Sequence, residues 1–509
     1  MKKIRGCWMK IKKCTIHKLN KIIKNREIIC FGAGNALKSL CSNYRYFYFE
    51  KYIKYIVDND QNKVGNIMNL NGKDVIIHSY DYLTKNIKSN DVILISNKYY
   101  SDEIAKQLMM SEKLKNVECY FYPNEKRGIA SFFQWFAKKF PLSNTLLFQG
   151  PGDFYENSYA IRDYLVSAGL MKKYKLVWIV NSDIKCKDTT KEKYIVRNCL
   201  KYSTSIKEIL KYVYYFSTAK YIFYESAPIP KYRDEQKLVF LGHGAYSLKK
   251  SKGIIVTSRM VDYVLCPSEK CIAGVCDQTR AFEDQIFICG CPRNDILFSK
   301  NRVIDKVVSV DKNQKIIIWM PTMRQASWSE RKDSERIFAH GLPLLEGKED
   351  FEQLNNLLGE LNMILVVKPH PFQRLSVYDL NQYDNIKFVL SQTLLDKNIN
   401  LYELMKDTDA LISDYSSVSF DYMLLNKPIA YAIDDMKEYK LGFAMDNPLE
   451  FMPGHHLLTK NDLFNFISDI ANTEDRYKEK RKEICDFVHK YQDGENSKRV
   501  IEFLGIGSE

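Results

Sequence analysis

The stretch LISDYSSVSFDYMLLNKPIAY, residues 411–431, constrains the fold more tightly than any other part of the chain. A short apolar run, Ala410-Leu411-Ile412, ends in Ser413-Asp414-Tyr415 and turns into Ser416-Ser417-Val418-Ser419. From Phe420 onward the apolar residues stop alternating, and Phe420, Met423 and Leu424 share one helical face, with Tyr431 a further candidate for it. This spacing predicts a buried strand, a tight turn and a helix whose N-cap is Ser416 or Ser417. Free backbone N–H groups, the positive helix end and two or three hydroxyls would meet at that turn. Such a point binds phosphate without a glycine-rich loop. An ordinary capped helix after an ordinary strand accounts for the same residues.

Strand and helix patterns alternate along most of the 509 residues, too many for one core, so an α/β fold of several domains is expected. Residues 1–26 carry Lys2, Lys3, Arg5, Lys10, Lys12, Lys13, Lys18, Lys21, Lys24 and Arg26 and no acid. Ile4, Trp8, Ile11, Leu19, Ile22 and Ile23 recur between them at roughly helical spacing, which predicts a basic amphipathic helix. Such a helix suits an anionic membrane surface, or it packs on the next domain. Residues 27–128 read as a small Rossmann-like accessory domain. A strand at 28–31 runs into Gly32-Ala33-Gly34-Asn35-Ala36-Leu37, and a second strand at 55–57 ends in Asp58. Gly32, Gly34 and Asp58 are its candidate nucleotide-binding residues, although Leu37 stands where the third glycine of the fingerprint belongs. Two larger α/β domains, 129–300 and 301–509, complete the expected plan.

Composition narrows the setting. Hydrophobic residues make up 45% and charged residues 27%, as in a soluble globular protein. No apolar run approaches the roughly 18 residues that span a bilayer, and no signal peptide is recognised. The thirteen cysteines are scattered, many within apolar runs, which suits reduced thiols. Cys266, Cys271, Cys276, Cys289 and Cys291 include no CxxC pair and no neighbouring histidine, so no metal site is expected. A net charge of +14 points to an anionic partner.

In an open parallel sheet, ligands bind beyond the carboxyl ends of the strands. Four such ends carry unusual residues. Residues 238–241 run into Gly242-His243-Gly244, and 316–319 into Met320-Pro321-Thr322-Met323-Arg324. Residues 364–367 run into Lys368-Pro369-His370-Pro371, and 411–412 into the serine-rich turn. The set fits a diphosphate: an Arg and a helix start to neutralise it, and a His left over as a base.

From about residue 144 to the C-terminus the chain resembles the CDP-glycerol glycerophosphotransferase family, which includes teichoic acid primases and polymerases. The resemblance rests on ordered motifs: HG at His243, CPRNDILF from Cys291, WMPTMR from Trp319, KPHP from Lys368 and DALISDYSSVSFDYMLLNKPIAY from Asp409. Asp434, Tyr439, Gly442-Phe443, Pro453-Gly454 and DGENSKRV from Asp493 follow in order. The resemblance implies a GT-B-type pair of Rossmann-like domains facing a cleft, with no metal and no cofactor. It implies transfer of a polyol phosphate from CDP-glycerol or a related CDP-polyol to an acceptor hydroxyl, with release of CMP. The acceptor would be a lipid-linked glycan or polymer at the cytoplasmic face of the membrane, and no nucleic acid is implied.

By the same resemblance His243 is the base, and His370 and Arg324 lie at the donor site with Thr322 and Lys368. Ser416 and Ser417 surround the donor phosphates, Asp414 orders their turn, and Arg293 positions phosphate or holds the interdomain side. One departure bears on the acceptor. Family members usually read WHGTPLK, whereas this chain reads GHGAYSLKK from Gly242 to Lys250. A nucleotide-sugar glycosyltransferase and a non-catalytic CDP-polyol-binding scaffold are the competing readings. Sequence does not distinguish glycerol from ribitol, nor one addition from many.

Overall fold

The computed structural model describes residues 12–13, 26–34, 37–38, 41, 49–70, 72–96, 101–114, 117–121, 135–136, 139–150, 156–180, 189–196, 206–225, 229, 231–242, 244, 246–250, 261–324, 333–334, 336, 338, 342–371, 373 and 382–508. The chain forms two compact units, residues 1–133 and 134–509.

In the first unit, strands β1 (Lys12–Lys13), β2 (Ile28–Phe31), β3 (Ile53–Val57), β4 (Ile67–Leu70), β5 (Lys73–His78), β6 (Val92–Ile95) and β7 (Glu118–Phe121) form one sheet. Their order is β1-β7-β6-β2-β3-β5-β4, and only the β4–β5 pair is antiparallel. β2 and β6 are buried along their whole length, as strands covered on both faces must be.

The structure corrects one expectation here. Lys12–Lys13 is an edge strand, Lys12 opposite Tyr120 and Lys13 opposite Phe121, so residues 1–26 do not form one unbroken helix. The open backbone groups at a sheet edge recruit extended chain and override a helical spacing of side chains. Residues 1–11 and 14–25, which carry the rest of that expectation, lie outside the described residues. Arg26 pairs with Glu118 at 2.6 Å.

The second unit holds two parallel sheets. In the first, β8 (Ser143–Gln149), β9 (Lys175–Val180), β10 (Glu192–Val196), β11 (Ala219–Tyr224), β12 (Lys237–Phe240), β13 (Tyr263–Cys266) and β14 (Ile286–Ile288) are ordered β10-β9-β8-β11-β12-β13-β14. In the second, β15 (Lys315–Trp319), β16 (Met363–Val367), β17 (Ile386–Phe388), β18 (Ala410–Ser413), β19 (Ile429–Ala432) and β20 (His455–Leu457) are ordered β17-β16-β15-β18-β19-β20. Side-chain alternation divides the second sheet between two cores. Ile316, Ile318, Ile364 and Val366 face one, and Ile317, Trp319, Met363, Leu365 and Val367 the other.

A 3-10 segment, Pro292–Phe298, joins the two halves. The last helix, Asn496–Phe503, crosses back over the first of these sheets. Its Val500 and Ile501 pack with Leu146, Phe148 and Tyr221, and Phe503 stacks on Phe287 at 3.7 Å. The domain expected at 301–509 therefore leaves its terminal helix in the core of the preceding one. The helix ends its apolar face there because the first sheet still has an open face to cover. Among the described residues, no helix is long and apolar enough to cross a membrane.

Candidate active site

The order β16-β15-β18 sets three motifs side by side at the carboxyl edge of the second sheet. Lys368 N–H donates to Trp319 O (2.9 Å), and Met320 N–H donates to Ile412 O (2.8 Å), so the three strand ends leave the sheet together. Asp414 lies at the centre, fully buried. Its Oδ2 accepts from the Thr322 N–H (2.8 Å), the Thr322 hydroxyl (3.0 Å) and Arg324 Nη1 (2.7 Å). Arg324 is 1% exposed. Its Nε and Nη2 bond to the Asp435 carboxylate at 2.8 and 3.1 Å, and Tyr415 donates its hydroxyl to the same carboxylate at 2.9 Å. The guanidinium also lies 5.3 and 5.6 Å from the Tyr415 and Tyr439 rings. Its contacts thus brace the turn from beneath.

Lys368 is different. Its ammonium bonds only to the Pro369 carbonyl (3.0 Å) and the Ser391 hydroxyl (3.1 Å), with no carboxylate in salt-bridge range among the described residues. Burial without an anion pushes its pKa down to about 8. Among the described residues no carboxylate offsets this buried cation. His370 is half-buried two residues on, with its carbonyl accepting from Gln373 N–H at 2.9 Å.

The serine turn is tighter than its sequence suggests. Ser417 is the N-cap, in helical conformation and without a side-chain cap bond, and the helix it opens is only Val418–Tyr422, followed by a 3-10 turn. Phe420 and Met423 are buried as expected, whereas Tyr431 belongs to β19. So short a helix has a small dipole, so any anion-binding role of the turn would fall to its N–H groups and hydroxyls rather than to the helix.

On the other sheet, β11 and β12 run in register, Tyr224 opposite Phe240, so Glu225 lies beside the start of the Gly242–Gly244 loop. Glu225 is fully buried, and its Oε1 accepts from the N–H (2.5 Å) and hydroxyl (2.7 Å) of Ser158, at the start of the helix Asn157–Ser167. Burial and the nearby Glu156 push its pKa up to about 8. Asn157 holds the loop itself, its Nδ2 donating to the carbonyls of Leu241 and Gly242 at 3.2 Å each. His243 lies outside the described residues. Its neighbour Gly244 has φ +145°, and a Cβ there would sit 2.7 Å from Ser417 Oγ. The loop of one half and the serine turn of the other therefore touch, which only glycine permits.

Beyond Gly244 the loop docks on the second half. Lys249 bridges to Phe443, Ala444 N–H donates to Leu248 O (2.7 Å), and Leu248 is fully buried. Tyr246, where the usual motif differs, packs edge-on against Phe420 at 5.6 Å and near Phe451 and Phe487.

Arg293 is 4% exposed on the joining segment. Its Nη1 pairs with Glu156 and its Nη2 with Asp421 (2.7 Å), while its guanidinium lies 4.9 Å from the Tyr402 ring. Sequence reasoning missed Glu156, Asn157, Ser158, Glu225, Asp421 and Asp435. The one signal was an acid, Asp421, set among apolar residues of a short helix.

In the first unit, Gly32 has φ +110°, and Leu37 fills the core where a third glycine would leave a gap. Asp58 accepts from the N–H groups of Ala33 (2.7 Å) and Asp60 (2.9 Å), and Lys63 lies at 3.4 Å. Its carboxylate ties the glycine turn to the end of β3. A Cβ on Gly34 would meet open space, so no close approach accounts for that glycine.

The sequence profile of the CDP-glycerol:poly(glycerophosphate) glycerophosphotransferase family matches residues 131–505, almost the whole second unit. The chain belongs to this family. It is 30% identical over 247 residues to the teichoic acid glycerol-phosphate primase of Bacillus subtilis (strain 168), covering 48% of this chain and 57% of the primase. It is 26% identical to a teichoic acid ribitol-phosphate primase of Bacillus spizizenii, over 48% of this chain and 59% of that one. The chain thus spans somewhat over half the length of these two relatives. A teichoic acid poly(glycerol phosphate) polymerase of Bacillus spizizenii is 26% identical over 68% of this chain and 88% of its own. The solved wall teichoic acid polymerase TagF superposes with a TM-score of 0.58 at 20% identity, over 74% of this chain and 92% of that one. That likeness establishes the GT-B-type fold of the glycerophosphotransferase unit.

Proposed function

We propose that the protein transfers a polyol phosphate, glycerol phosphate first among the candidates, from a CDP-polyol to a hydroxyl of a teichoic-acid-like or other cell-surface glycan acceptor. One observation carries this reading. A buried Lys368, paired with no carboxylate among the described residues, and the Asp414–Ser417 turn share one half, and Ser417 meets Gly244 of the other. In this reading the donor turn and the acceptor-side loop meet where Gly244 approaches Ser417.

In the proposed step the acceptor oxygen attacks the β-phosphorus of the donor in line, and the bond to the α-phosphate oxygen breaks as CMP departs. His243, on the loop of the first half, takes the hydroxyl proton. A free hydroxyl is a poor nucleophile at neutral pH, and an imidazole titrates in the useful range. Lys368 and His370, with the N–H groups and hydroxyls of Ser416 and Ser417, take the charge on the diphosphate. Arg324, Thr322 and Asp414 hold that turn. No covalent intermediate is required.

Residues 1–11, which are basic and precede the edge strand, are proposed to add contact with anionic lipid at the cytoplasmic face. Deleting them should weaken binding to anionic vesicles at low salt and leave turnover on a soluble acceptor unchanged; equal vesicle binding refutes that part. The deciding experiment for the reaction is CMP release from CDP-glycerol, CDP-ribitol and a nucleotide-sugar in the presence of a glycan acceptor. Release from a CDP-polyol alone supports the proposal, and turnover of the nucleotide-sugar alone rejects it.

A further inference from the structure

The CPRND motif at Cys291–Asp295 sits on the segment that joins the two halves, and its polar side chains reach three separate parts of the unit. Arg293 grips Glu156 of the first half and Asp421 of the second. Asn294 Nδ2 donates to the other oxygen of Asp421 at 2.9 Å, and Tyr402 donates its hydroxyl to Asp421 Oδ2 at 2.6 Å. Asp295 accepts from the N–H groups of Asn496 (2.8 Å) and Ser497 (2.7 Å), where the last helix crosses back.

Two further bonds connect this hub to the site. Asn157 accepts from the Arg293 backbone N–H at 3.1 Å while its amide holds the carbonyls of Leu241 and Gly242. Asp421 lies on the short helix that Ser417 caps. A Cβ on Gly244 would lie 2.7 Å from Ser417 Oγ and 3.6 Å from Arg293 Nη2. The acceptor-side loop, the serine turn and Arg293 thus converge on one point. Arg293 and Asp421 are both almost fully buried, so this link is not weakened by solvent as a surface pair would be.

We infer that Arg293 is a positioning residue: through Asp421 on one side and Glu156 and Asn157 on the other, it fixes the Gly242–Gly244 loop against the Ser416–Ser417 turn. It touches neither substrate in this role. A forked guanidinium with two carboxylates on opposite domains sets both distance and angle, which an ammonium on a flexible stem does not. The inference rests on the proposed polyol-phosphate transfer for its kinetic readout, and on the fold alone for its structural one.

The test uses the full chain with Arg293→Lys, Asp421→Asn and the double variant. Turnover is followed by CMP release, binding by titration with CDP-glycerol, and local order by hydrogen exchange over residues 241–250 and 413–420. Each single variant should lower kcat by roughly a hundredfold, the scale of an ångström-sized misplacement of reacting groups. CDP-glycerol affinity should stay within about threefold, the double variant should be no worse than either single one, and exchange should quicken in both segments. If affinity falls as far as turnover, Arg293 is a phosphate ligand and the inference is wrong. Unchanged kcat, or faster exchange in only one segment, overturns it too.

Should the buried variants fail to fold, Tyr402→Phe removes only the hydroxyl bond to Asp421. A severalfold loss of kcat at unchanged affinity is then expected, and full activity refutes the inference. If the unaltered protein releases no CMP from CDP-glycerol or CDP-ribitol, the functional reading fails instead. The paired exchange response still decides whether Arg293 couples the two elements.

Discussion

The two sides of the cleft are built on the same strand-end principle and held in opposite ways. Beneath the serine turn, Arg324 is locked between Asp414 and Asp435, with two tyrosine rings beside it. Among the described residues, the Asn157 amide holds the start of the Gly242–Gly244 loop through the carbonyls of Leu241 and Gly242. The serine-turn side is braced by full charges, and under the proposed function this preorganises its N–H groups and hydroxyls for the donor phosphates. The loop side is held directly by neutral hydrogen bonds from Asn157 and by contact with its opposite half, with the Arg293 ion pairs behind it. Under the proposed function, charge rigidifies the side assigned to the diphosphate. The sequence departs from the usual motif on the other side, at GHGAYSLKK.

The sharpest break in this contrast comes from His243→Ala. Turnover should fall by about 10²–10⁴-fold, the usual worth of a positioned base, with CDP-polyol affinity little changed. Loss of donor affinity in that variant would move His243 to the donor side and erase the division of labour. Next in size is Arg324→Met, which leaves Asp414 and Asp435 buried and unpaired. Breaking one side of such a network costs about 3–5 kcal/mol, so chemical denaturation should show a large loss of stability. An unchanged midpoint would mean that the donor side is not braced by charge.

Lys368→Met should weaken CDP-glycerol binding by roughly tenfold, the scale of one charge-assisted hydrogen bond. Because burial lowers the Lys368 pKa to about 8, donor affinity of the unaltered protein should decline as pH rises through that value. The ammonium that phosphate favours is lost there. The variant should lack this decline, and an equal pH profile in both proteins removes Lys368 from the donor site.

The smallest effect belongs to Glu225→Gln on the acceptor side. The folded carboxyl titrates near 8 against an ordinary value of 4.5, because burial and Glu156 oppose its charge. The folded state therefore holds a proton that the unfolded state releases. Stability from this group is complete below the unfolded value and declines as pH rises from about 4.5 to about 8. Glu225→Gln should flatten that slope in thermal melts between pH 5 and 8, and an unaltered slope would show that Glu225 is charged throughout.

Much of the plan is legible in local sequence. The apolar runs at Lys175–Val180 and Ile364–Val367 read as strands, and both form, buried almost throughout. The KPHP end and the serine turn announce adjacent polar strand ends, since turn chemistry and strand period act over a few residues, and β16 and β18 do flank β15. Shorter strands such as His455–Leu457 and Lys12–Lys13 carry too few residues for a period to show. Pairing with a neighbour makes them.

What the sequence determined by itself is therefore the succession of α/β units, the strand ends that carry polar motifs and the family those motifs belong to. Tertiary structure alone decided which charges meet. Arg324 finds Asp435 across 111 residues, and Arg293 finds Glu156 and Asp421 across 137 and 128. An arginine in a strand-end motif looks like a phosphate ligand until its carboxylates are located. Pairing over such distances depends on how two separately built sheets pack, and on the burial that makes an uncompensated charge too costly to leave. The same packing returned the last helix to the first of those sheets, where an open apolar face remained.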